Sequence, residues 1–144
     1  MAGFKYSRVG DALRSPLISC RPDTPMDEVA ELMAAKEVNA VVVEGLGGAE
    51  PWGVVTDRNL LAVAADAADH VASECATGRL LTIGPDEALE VAIQRMRCQG
   101  VSHLMVTDPA RRRPLGVLTT LDVAGAVARG SRQSKRCTYA SVPG

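Results

Sequence analysis

Apolar residues along the chain follow two alternating rhythms. Residues 17–20, 38–43 and 52–56 form short apolar runs with the length and β-branched content of buried strands. Between the first two runs, Met26, Val29, Ala30 and Met33 fall at i, i+3, i+4 and i+7, one stripe of a helix. Pro22 ends the first run, Thr24 reads as the helix cap, and Pro25 takes the first helical position. A second helix is expected to begin near Arg58. The predicted order is strand, helix, strand, strand, helix.

That order occurs twice. A second stripe, Leu89, Ala92, Ile93 and Met96, is followed by strand runs at 101–106 and 115–119 and by a helix near Leu121. Identities keep a constant spacing of 63 residues without a gap: Pro22 to Pro85, Met33 to Met96, Val43 to Val106, Gly53 to Gly116 and Thr56 to Thr119. A fixed register over so many positions marks an internal duplication. One unit of about 60 residues leaves a sheet face uncovered and is hard to stabilise alone. The expected fold is therefore α+β, with two β-α-β-β-α repeats packed through their sheets into one pseudo-twofold domain. Repeat 1 is placed at 8–66 and repeat 2 at 70–129, with 64–70 as a helix end and linker. Residues 130–144 lack an apolar period and read as a mobile tail.

Composition narrows the function. The 144 residues are 47% hydrophobic and 23% charged with a formal net charge of -1, so no global field favours nucleic acid. The longest apolar run, Leu60 to Ala65, is too short for a membrane span, and the first residues lack the apolar core of a secretory signal. The expectation is a cytoplasmic protein with no membrane partner. Four dispersed cysteines make no Cys-x-x-Cys pair, which argues against a zinc site and a disulfide scaffold. Cys20 and Cys98 read as small core residues and Cys137 as a free thiol. His70 and His103 have no nucleophile–base arrangement around them, and there is no phosphate loop, so neither an enzyme nor a required cofactor is expected.

Over residues 8–128 the sequence resembles a tandem pair of CBS domains, the Bateman module. The resemblance is carried by the strand before each Pro-Asp, the Met-ending stripes, residues 38–43 and 100–106, and the Gly-x-x-Thr close of each repeat. That family's ligand signature, Gly-x-x-Thr/Ser-x-x-Asp, is complete as Gly116, Thr119 and Asp122. Repeat 1 departs from it, with Asn59 after Gly53 and Thr56. Val42 and Met105 stand where the family often has proline.

The resemblance implies two clefts, each joining the signature of one repeat to the first strand and following loop of the other. The better cleft would unite Thr119, Leu121 and Asp122 with Ile18, Val38, Asn39 and Ala40. The weaker one would unite Thr56, Arg58 and Asn59 with Leu81, Val101, Ser102 and His103. A strand that ends in threonine and leads into a helix gathers a hydroxyl and unpaired N–H groups, which suits phosphate. A carboxylate one turn later accepts from two ribose hydroxyls. Charge-assisted bonds are the stronger ones, so Asp122 is expected to hold ribose better than Asn59, with Arg58 offering phosphate a partner. Each residue also has a structural role open to it. Thr56 and Thr119 are suited to cap helices, Asp122 to complement a helix dipole, His103 to pack in its strand, and Arg111, Arg112 and Arg113 to be solvated.

The function implied is a stand-alone regulatory module that senses an adenosine-containing ligand, AMP, ADP or ATP. Its expected partners are a second copy, as a homodimer, and an unidentified effector protein. The alternative is an interaction or scaffold module with vestigial clefts, a reading that Asn59 favours.

Overall fold

The 63-residue spacing governs the hydrogen-bond register of both sheets. Strands β1 (Ser19–Cys20), β2 (Ala40–Glu44) and β3 (Pro51–Thr56) form one sheet, and β4 (Thr82–Ile83), β5 (His103–Asp108) and β6 (Arg113–Thr119) form the other. In each, the first strand runs parallel to the second and the second antiparallel to the third. Ser19 pairs with Val42 as Thr82 does with Met105, and Ala40 with Thr56 as His103 does with Thr119. The register shifts after Val43 in one sheet and after Val106 in the other. This computed structural model describes residues 7–14, 16–45, 51–77, 81–111 and 113–141. Arg112, residues 142–144 and the side chain of Cys137 lie outside the described residues.

The apolar stripes form helices α2 (Met26–Lys36) and α5 (Leu89–Gln99), which bury Met26, Val29 and Met33, and Leu89, Ala92 and Met96. Both end in a left-handed residue, Glu37 at φ 53° and Gly100 at φ 65°. The turn that follows returns the N–H of Val38 to the Met33 carbonyl and that of Val101 to Met96. Residues 38–39 and 101–102 are thus spent on helix termination, and β2 and β5 begin two residues later than the apolar runs.

Helix α2 starts differently from the expectation. Pro25 is its N-cap, and the Thr24 hydroxyl accepts from the Arg21 N–H at 3.1 Å. The first helical N–H, Met26, donates to the His70 carbonyl at 2.8 Å, and Leu89 likewise donates to Ser7 at 2.9 Å. Those acceptors precede two four-residue helices, α1 (Val9–Ala12) and α4 (Ala72–Cys75), which are exchanged between the repeats. Val9 and Ala12 complete the core that holds Ile83, Leu89 and Leu104, while Ala72 completes the core that holds Met26, Val41 and Val55. Each repeat's body is closed by the other's leading helix.

This exchange explains the two motif glycines. A Cβ on Gly53 would stand 2.6 Å from the Thr77 carbonyl oxygen, just beyond α4, and one on Gly116 would stand 2.9 Å from Leu13 Cδ2, just beyond α1. Between the sheets, Val42, Val54, Met105 and Val117 form a separate buried cluster, the seam of the pseudo-twofold domain.

The backbone is helical from Thr120 to Ser141 in α6, which reaches into the segment expected to be a tail, and Arg132, Gln133, Lys135 and Arg136 there have high helix propensity even without an apolar stripe. One expectation is corrected. Cys98 is exposed, two residues past Met96 and off the buried stripe. Cys20 is buried as expected, and burial pushes its thiol pKa up to about 11.

Candidate functional site

Each motif threonine ends a strand and opens a helix. Thr56 is the N-cap of α3 (Asp57–Val63): its hydroxyl accepts from the Asn59 N–H at 3.4 Å, and Asn59 Oδ1 accepts from the Thr56 N–H at 2.8 Å. Repeat 2 makes the same reciprocal pair. The Asp122 N–H donates to the Thr119 hydroxyl at 3.4 Å, while Asp122 Oδ2 accepts from the Thr119 N–H at 3.0 Å and from its hydroxyl at 3.3 Å. These residues therefore do cap their helices, satisfying amides that a helix start leaves without partners.

Asp122 carries one bond more. Its Oδ1 accepts from the Arg14 N–H at 3.3 Å, which ties α6 to the strap between α1 and β1. Thr119 and Asp122 are 5% and 4% exposed, the two polar residues buried among those described, so the carboxylate acts in a drier setting than the half-buried Asn59.

A small, narrow cleft lies beside Thr119, walled by Pro16, Leu17 and Ile18 of the strap, Val38 to Ala40 of repeat 1, and Val117. The structure thus brings together Ile18, Val38, Asn39, Ala40 and Thr119 of the first predicted set. Leu121 stands apart at 69% exposure, and Asp122 is turned toward Thr119 and Arg14. Ile18 uses its carbonyl to accept from Val42 N–H, and Asn39 uses its own to accept from Asp57 N–H. Pro16, Leu17 and Val117 were not singled out, although they adjoin predicted positions. The backbone contact of Arg14 leaves no mark in the sequence.

The second set keeps the same backbone arrangement 63 residues on. Leu81 accepts from Met105 N–H at 2.9 Å, and Ser102 accepts from Thr120 N–H at 3.2 Å. Val101 packs against the repeat 2 core, and Arg58 is exposed in the first turn of α3. His103 opens β5 with Nδ1 buried and without a partner among the described residues, and burial lowers its pKa.

The model of the CBS domain family matches residues 9–66 and 72–129. A CBS domain protein of Pyrobaculum aerophilum complexed with AMP is similar in structure, at 26% identity and a TM-score of 0.70, with 80% of this chain and 88% of that one covered. A CBS domain pair in complex with 5′-methylthioadenosine and S-adenosyl-L-methionine gives 20% identity and a TM-score of 0.76, covering 87% and 98%. A CBS-domain containing protein of Agrobacterium tumefaciens gives 23% and 0.72, covering 84% and 93%. Among curated proteins, the homoserine O-acetyltransferase of Methanohalobium evestigatum is 26% identical over 121 residues, 84% of this chain and 24% of that protein. The chain thus spans about a quarter of that relative's length.

Proposed function

We propose, for a chain that belongs to the CBS domain family, that it is a regulatory module whose inter-repeat clefts bind an adenosine-containing ligand. The observation that carries this is the cleft in which Ile18, Val38, Asn39 and Ala40 of one repeat meet Thr119 of the other. Its walls are apolar, its edges offer backbone groups, and a helix N-terminus adjoins it, a combination suited to an aromatic base joined to a polar sugar. The AMP complex of the similar Pyrobaculum protein supports the same reading.

The free cleft is narrow, with room for about one water. A ligand therefore requires the walls to part, and where the strap of Pro16 to Ile18 gives way the Arg14 contact to Asp122 ties that movement to α6. Binding at one end of the module thereby biases a helix that leads away from it, the kind of element on which a regulatory output can act. An effector protein is the proposed recipient. Self-association through helix faces belongs to the same reading: Ile93, Met96, Val101 and Val123 line an open groove between α5 and α6.

The alternative, a scaffold with vestigial clefts, is favoured by one observation: both Asp122 oxygens are already engaged within the protein. A thermal-shift panel of AMP, ADP, ATP, 5′-methylthioadenosine and S-adenosylmethionine separates the two. A ligand at a hundred times its Kd stabilises the fold by about 2.7 kcal/mol. No shift with any of the five decides for the scaffold.

A further inference from the structure

The first strand lies at the edge of its sheet in both repeats, and that edge is covered in one repeat and open in the other. Val42 N–H donates to the Ile18 carbonyl across the parallel pair, so Ser19 turns its own N–H and carbonyl away from β2 toward the free edge. Met105 N–H donates to Leu81 in the same way, and Thr82 faces outward in repeat 2. There Arg95 of α5 covers the edge: its guanidinium donates to the Thr82 carbonyl at 3.2 Å and stands 3.6 Å from Glu87. The residue 63 positions earlier is Leu32, half-buried against the repeat 1 core. Among the described residues the Ser19 carbonyl has no donor in place of that guanidinium.

Charge changes at the same place. Ser19 and Leu32 line an open groove between β1 and α2, together with Asp27, Glu28 and Glu31, which are exposed and form no ion pair among the described residues. Repeat 2 has Glu90, Val91 and Gln94 at those positions. Arg21 also lines the groove, but it pairs with Asp23 at 3.5 Å. Two independent features therefore call for a cation here: an edge carbonyl without the arginine its counterpart has, and three carboxylates that nothing neutralises. Sheet edges are ordinarily blunted, and an open one flanked by a single sign of charge suits a segment of the opposite sign.

We propose that this groove receives the basic end of α6 from a second copy of the chain, one of its arginines taking the place at Ser19 that Arg95 takes at Thr82. The chain carries the complement in its own sequence. Residues 129–136 include Arg129, Arg132, Lys135 and Arg136, and residues 123–144 contain no Asp or Glu. The backbone there is helical, with Arg129, Arg132 and Arg136 spaced at i, i+3 and i+7, and Glu28 and Glu31 are likewise one turn apart on α2. Several charges on each side make a network, which is where exposed ion pairs contribute measurably. The contact is electrostatic and so weakens with salt, unlike association through the apolar groove between α5 and α6.

Sedimentation equilibrium of the full chain over a concentration series, at about 0.05 and about 0.5 M salt, tests the proposal. Self-association is expected to weaken at the higher salt. At the lower salt, Glu28→Lys with Glu31→Lys is expected to weaken it about tenfold or more, and Arg132→Glu with Arg136→Glu to do the same. All four substitutions in one chain exchange the signs and are expected to restore it. Leu32→Arg returns the guanidinium to the edge within the chain, as in repeat 2, and is expected to weaken association with every acid intact. Thermal unfolding of each variant checks that it remains folded. The proposal is overturned if association is insensitive to salt and to both reversals, or if the fourfold variant fails to recover it. It is equally overturned if the groove reversal acts and the tail reversal does not, which assigns the groove to a basic segment of another protein.

Discussion

Asp122 and Asn59 hold the same place in the two repeats, one accepting from the Thr119 N–H at 3.0 Å and the other from the Thr56 N–H at 2.8 Å. Both are caps before they are anything else. Removing a cap costs about 1 kcal/mol, which is about 2–4 °C in Tm for a chain of this size. Asn59→Ala is expected to show that loss in thermal unfolding without ligand. Asp122→Ala is expected to lose about twice as much, because it also frees the Arg14 N–H and is buried. Equal losses would mean that the strap contact contributes nothing.

The two motif glycines are expected to differ under the same substitution. In Gly53→Ala the new methyl meets a backbone oxygen, Thr77 O at 2.6 Å, which cannot rotate away. We expect about 1–3 kcal/mol of destabilisation in urea unfolding. In Gly116→Ala it meets the far end of the Leu13 side chain, which can change rotamer, so the loss stays below about 1 kcal/mol. Trimming the obstacle with Leu13→Ala in the Gly116→Ala background is expected to cost less than Leu13→Ala alone.

Those glycines also mark how far the sequence could be read. The duplication, the two sheets and the helix stripes were legible because each has a period or a register, and the 63-residue spacing carried over into every strand pair. The exchange of α1 and α4 was not, since a four-residue helix is too short to display a 3.6-residue period and its packing partner is distant in sequence. For the same reason the glycines read as ligand signature when their immediate neighbours are Leu13 and Thr77. In the candidate site, residue types pointed to the cleft around Thr119, but side-chain direction decided the rest. Asp122 faces its own helix start and Leu121 faces solvent.

The two histidines are expected to give opposite pH dependences. His70 bridges Glu74 through Nδ1 at 3.0 Å and Asp66 through Nε2 at 3.2 Å, and these bonds raise its pKa. Its contribution to stability is therefore full below the unfolded value near 6.5 and is lost as pH rises through the higher folded value. His103 is lowered by burial, so stability is full above about 6.5 and falls as pH drops toward its folded value. In Tm measured from pH 5 to 9, His70→Gln is expected to depart from the wild type most at the acid end. His103→Gln is expected to flatten the acid decline, and the reverse pattern would contradict both assignments.

The seam between the sheets gives the sharpest test of the fold. Val42 and Met105 occupy equivalent places in the two repeats, where the family often has proline, and both are buried in the cluster with Val54 and Val117. Val117 and Ala40 belong to that seam and also wall the cleft, so packing there sets cleft width as well as stability. Met105→Ala is expected to cost about 2–5 kcal/mol and Val42→Ala about 2 kcal/mol, from lost burial and the cavity left behind. Because both cavities open onto one seam, the double variant should lose less than the sum, with a coupling of about 0.5–3 kcal/mol. The control pair is Val43 and Leu104, which face separate cores within repeat 1 and repeat 2. Val43→Ala and Leu104→Ala are expected to add within about 0.5 kcal/mol. Urea unfolding of both cycles decides the matter, and additivity at Val42 and Met105 would mean that the two sheets do not meet through these side chains.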